Sequence, residues 1–299
     1  MHCQRKLIIS LMLFTASASA DTFVYAVSTN YNNFTGQFGT FDLTTGAFNQ
    51  IGTAIADPLY GLVPGPNGNL LSVSATGNLD SVNPATGAVS VIGAISVIGA
   101  ISVIGKVSAI GVPNVAYDIA ELNGTVYATD LYGNLYTLNT KTGAAKLIGP
   151  TGIPLCPSLT NANEVSDESL FADGGKLFAT FDGVNLATSA VVDSPELYQI
   201  NPATGVATRV GATALGLDAV AFENGTLYGF AFGYGGPNPV LSLNPANGNT
   251  TPVTDYNLSS LVAITGAAPT PEPASLGLLA IGIAAVLVVR RRRFYGQQR

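Results

Sequence analysis

One short pattern recurs five times along this chain and restricts its fold more than any other feature. An apolar residue is followed four positions later by Asn or Asp, and then by a turn that closes on Gly. The copies run from Phe38 to Asp42 and Gly46, Leu79 to Asn83 and Gly87, Leu135 to Asn139 and Gly143, Leu197 to Asn201 and Gly205, and Val240 to Asn244 and Gly248. An Asx side chain accepts a hydrogen bond from the backbone two residues on, and Pro84, Pro202 and Pro245 preset the following φ. Gly then takes the left-handed conformation that closes a hairpin. Local turn bonding accounts for the five Asx side chains without a ligand or metal ring.

A second hairpin precedes each of the later turns. Asn67-Gly68, Asn123-Gly124, Gly174-Gly175 and Asn224-Gly225 each stand before an apolar strand, the strongest short-range hairpin signal. Further short strands come before them, at Tyr60 to Val63, Val115 to Glu121, Ser169 to Ala172 and Asp218 to Phe222, so one unit contains four strands. The turn glycines are spaced 41, 56, 62 and 43 residues apart, the size of a four-stranded propeller blade. The 56 has a visible cause: Ala-Ile-Ser-Val-Ile-Gly stands at Ala94 and again at Ala100, after a first Ser90-Val91-Ile92-Gly93. This tandem duplication of an outer strand is apolar, β-branched and uncharged, which marks it for edge pairing. The 62 reflects longer loops around Thr151 to Asp167 and Gly183 to Ser194.

The chain ends test whether the ring closes. The first unit begins at Thr22-Phe23-Val24-Tyr25-Ala26 and lacks an opening strand, whereas Leu261 to Ile264 follows the last unit with no partner after it. Joined in one blade, the two ends remove an exposed seam. The expected fold is all-β, a five-bladed β-propeller of four-stranded blades closed by N- and C-terminal strands, plus a C-terminal single transmembrane helix; a β-sandwich or solenoid is the alternative. The strand order resembles the NHL and YVTN-type propeller repeats, without their full motifs.

Both termini read as targeting segments. Arg5-Lys6, the apolar stretch Leu7 to Phe14 and the small residues Ala18-Ser19-Ala20 form a secretory signal peptide, with cleavage by signal peptidase expected before Asp21. At the other end come Pro271-Glu272-Pro273, an apolar run from Ala274 to Val289, and Arg290, Arg291, Arg292 and Arg293. A spanning helix needs about 20 apolar residues, with about 17 as the lower limit, so the run is a marginal anchor. The arginines stay cytoplasmic under the positive-inside rule. This order of motif, helix and basic cluster resembles the PEP-CTERM sorting signal of Gram-negative bacteria. The resemblance implies processing by exosortase near Pro271 to Pro273, inner-membrane anchoring with a cytoplasmic C-terminus beforehand, and release afterwards to the cell surface or extracellular matrix. The expected division is residues 1–20 signal peptide, 21–266 propeller and 267–299 sorting signal.

Removing these ends changes the composition. Between Asp21 and Thr270 only Lys106, Lys141, Lys146, Lys176 and Arg209 face seventeen carboxylates, a net charge of about −12. Such a surface repels phosphate backbones, which excludes nucleic acid as a partner. His2 and Cys3 leave with the signal peptide, and Cys156 alone remains. An intramolecular disulfide, a His/Cys zinc site and any imidazole-dependent triad are therefore excluded.

Propellers hold function in loops at the mouth of the channel, so carboxylates near the starts of inner strands are the candidate ligand-binding residues: Asp118, Asp218, Glu168 and Asp57. Such acids hydrolyse glycosidic bonds when paired, or hold Ca²⁺ when several converge, and otherwise cap strand ends in solvent. Tyr31, Tyr132 and Tyr234 are candidate aromatics for sugar rings. No catalytic residue, metal ligand or cofactor is assigned. The sequence reads as a non-catalytic binding or structural protein of the envelope or exopolysaccharide, with a polysaccharide or surface protein as ligand; the alternative is a secreted carbohydrate-active hydrolase using channel carboxylates.

Overall fold

A computed structural model describes residues 22–30, 33–95, 116–130, 133–153, 164–185, 190–232, 238–256, 258 and 262–270. Its strands form five antiparallel sheets of four strands each. Blade I takes β1 (Phe23–Asn30), β2 (Thr35–Asp42) and β3 (Phe48–Gln50) from the N-terminus, and β20 (Val262–Pro269) from the end of the described chain. Blade II is β4 (Leu59–Pro64), β5 (Leu70–Ser74), β6 (Asn78–Val82) and β7 (Val89–Ala94). Blade III is β8 (Ala116–Leu122), β9 (Thr125–Asp130), β10 (Asn134–Leu138) and β11 (Ala145–Pro150). Blade IV is β12 (Glu164–Asp173), β13 (Lys176–Asn185), β14 (Ala190–Ile200) and β15 (Ala207–Ala212). Blade V is β16 (Ala219–Glu223), β17 (Thr226–Phe230), β18 (Asn238–Leu243) and β19 (Thr250–Tyr256).

The innermost strands touch in a closed cycle, β20 to β4 to β8 to β12 to β16 and back to β20. The propeller therefore closes as the sequence predicts, with β20 beside β1. The closing strand extends beyond the Leu261 to Ile264 of the sequence reading: β20 runs on to Pro269. Hydrophobic burial follows the same fivefold plan, with one buried apolar cluster at each interface between blades. The interface between blades V and I is the aromatic one, with Phe41 edge-on to both Phe230 and Tyr256 at centroid distances of 5.1 and 5.7 Å.

The repeated turn chemistry appears in all five blades. Asp42, Asn83, Asn139, Asn201 and Asn244 each accept a bond from the backbone N–H two residues on. A second set of glycines, near the ends of outer strands, links the blades. The residue before Gly93, Gly149 and Gly211 is the extra residue of a bulge in the outer strand. That bulge brings each glycine onto the turn of the next blade: a Cβ on Gly93 would stand 2.2 Å from the Thr142 carbonyl oxygen, and one on Gly211 1.9 Å from that of Asn247. At the seam Asp255 contributes the close carbonyl, facing Gly46.

Outside the described residues lie Ala18, Ala20 and Asp21 of the cleavage site, the repeated segment from Ser96 to Gly105, and the tail with Pro271, Glu272, Pro273 and Arg290 to Arg293. The expected transmembrane helix falls in that tail, and among the described residues no helix is long and apolar enough to cross a membrane.

Candidate functional site

Where five inner strands converge, little room is left for side chains. The central channel encloses about 170 Å³, and its wall is mostly small or apolar, including Gly61, Ala120, Leu170, Ala221 and Gly266. Small residues suit this position because bulky ones would fill the taper. Among the described residues two carboxylates line the channel, Asp118 and Glu121, both from β8.

Asp118 is 3% exposed. Its Oδ1 accepts the Ile119 N–H at 2.6 Å, and its Oδ2 accepts the Leu170 N–H of blade IV at 2.7 Å. Gly61 of blade II closes over it, since a Cβ there would lie 2.0 Å from Oδ1. One side chain thus ties three adjacent blades together. Burial pushes its carboxyl up to about 8, opposed by the Leu170 and Ile119 amides and by the neighbouring Ser169 hydroxyl. Glu121 accepts the Gly124 N–H and so holds the β8–β9 hairpin. Three strand positions separate the two acids, about 10 Å along the strand and on opposite faces of it.

Asp57 and Asp218 stand just before inner strands, and neither is among the residues that line the channel. Asp218 donates its backbone N–H to Phe230 O at 2.8 Å, immediately before β16. Its carboxylate acts on the seam: burial first, and the Asp218 charge second, raise the pKa of Tyr256, whose hydroxyl donates to Ala231 O at 3.1 Å. Asp57, just before β4, accepts bonds from the Thr76 N–H and hydroxyl and so anchors the β5–β6 turn. Glu168 pairs with Phe181 through its backbone in β12, and its side chain lies outside the described residues, as do Tyr31, Tyr132 and Tyr234. Among the described residues no three His, Cys, Asp or Glu side chains gather as metal ligands.

Buried acids that the sequence did not single out stand on second and third strands. Asp80 is raised by burial, which the Ser74 hydroxyl opposes and the charge of Asp57 reinforces. Asp130 accepts the Tyr136 hydroxyl at 2.7 Å and the Asn134 N–H at 2.9 Å. Asp182 lies against Gly216, where a Cβ would come within 2.0 Å of its Oδ2. The sequence signal for Asp130 was the Asn four residues later, matching Asn78 after Ser74, whose hydroxyl accepts the Asn78 N–H.

Residues 269–293 match the PEP-CTERM protein-sorting motif. The chain thus carries at its C-terminus the signal of an exported, cell-surface-directed protein processed by exosortase. No curated protein matches the sequence. Solved structures that match the chain include TolB from Acinetobacter baumannii, at TM-score 0.41 and 11% identity, over 83% of this chain and 67% of that one. A putative TolB from Agrobacterium tumefaciens matches at TM-score 0.38 and 9% identity, over 82% of this chain and 91% of that one. BamB from Moraxella catarrhalis matches at TM-score 0.31 and 13% identity, over 77% and 69%.

Proposed function

We propose that this chain is a non-catalytic binding and structural protein of the cell envelope or its exopolysaccharide. In this reading signal peptidase removes residues 1–20, the tail holds the protein at the inner membrane, and exosortase then frees the propeller. The observation that carries it is the position of the sorting motif: β20 ends at Pro269, and the motif begins at that same residue. Every blade is complete before the tail starts, so processing near Pro271 to Pro273 would release an intact ring. The acids add support, because Asp118 spends its oxygens on the Ile119 and Leu170 N–H groups and Asp57 on the Thr76 N–H and hydroxyl.

Co-sedimentation of the exported protein with its host's exopolysaccharide tests the proposal. Retention on the polysaccharide without release of new reducing ends is expected. Release of reducing ends that disappears in Asp118→Asn or Asp218→Asn would instead establish a hydrolase.

A further inference from the structure

Each blade of an open propeller ends in a strand with one free edge, and such edges recruit other strands unless they are blunted. Four of the five are blunted here. β3 has only three residues. β11 carries the exposed Lys146. β15 carries Arg209, bonded to Glu196 at 2.6 Å. β19 contains Pro252 and Asp255.

β7 has none of these devices. Its sequence is Val-Ser-Val-Ile-Gly-Ala, its Val91 is 64% exposed, and among the described residues it pairs only with β6. The charge pattern sharpens the contrast. From Ser81 to Gly105 the chain has no charged residue, although the exported part as a whole carries a net charge of about −12. Two such rings repel one another, whereas the outer edge of blade II lies in a stretch without charge, and Asp80, opposite Val91 on β6, is buried.

We propose that the free edge of β7 is a strand-pairing interface for a second copy of this chain. Antiparallel pairing of β7 with its counterpart is self-complementary about a twofold axis and joins two four-stranded blades into one continuous sheet. Six residues of strand bury less than the roughly 1,000 Å² of a stable interface, so the dimer is weak and depends on concentration.

Sedimentation of the exported protein purified from its host tests this. Doubling of the mass is expected as the concentration rises toward about 100 µM, more readily at about 0.3 M salt, where screening reduces the repulsion. Val91→Lys places like charges near one another across the axis without burying anything, and should weaken association about fivefold while leaving thermal unfolding unchanged. A wild-type protein that stays monomeric throughout, or a Val91→Lys variant that associates equally well, would overturn the proposal. So would a monomer that dimerises only after deletion of Ala94 to Gly105, because the chain's own copies would then be what covers the edge.

Discussion

Asp118 shows how one side chain in this ring sets a dependence on pH. Its carboxyl titrates near 8 when folded, against 3.8 for the ordinary group, so folding takes up a proton between those values. The associated stability is fully present below pH 3.8 and is lost as pH rises through about 8. Urea unfolding of the wild type should therefore show a stability at this site that falls with rising pH across that window. Asp118→Asn should remove this slope. It should also lower stability at pH 5 by about 1–3 kcal/mol, because an amide nitrogen must then face the N–H of either Ile119 or Leu170. A variant that keeps the wild-type slope would show that another group titrates.

Among the elements, β20 has the largest structural task. It pairs with β1 and meets β4 and β16 on its two sides. Its Thr265 hydroxyl lies 3.0 Å from that of Thr29 and donates to Leu59 O of blade II at 2.7 Å. A chain ending at Ser260 should lose cooperative unfolding by circular dichroism, whereas one ending at Thr270 should unfold like the full chain. Cooperative unfolding of the shorter chain would contradict closure by the C-terminal strand. The existence of this strand was legible because Leu261 to Ile264 had no other partner in the repeat. Its length was not, since Gly266-Ala267-Ala268-Pro269 has weak strand propensity and is held as strand by fitting a crowded axis. The turn glycines were likewise legible as hairpin residues, but not as contacts between blades, because spacing does not reveal which carbonyl they meet. The candidate site follows the same rule. Asp118 was found by its place at the start of an inner strand, while its partner Leu170 is 52 residues away in another blade and leaves no local trace.

At the scale of the whole molecule, two opposite charge distributions share one chain. Four arginines lie together in the tail at Arg290 to Arg293, while the propeller holds nearly all the carboxylates. In the proposed reading the attached tail would hold an anionic ring against the membrane, and its removal would leave that ring free. The fold is complete at Pro269, so cutting the tail removes no strand. The intact mass of the protein recovered from its host's surface decides whether this separation occurs. The expected mass begins at Asp21 and ends near Pro271 to Pro273; a surface form that still contains Arg290 to Arg293 would contradict delivery by a removable sorting tail.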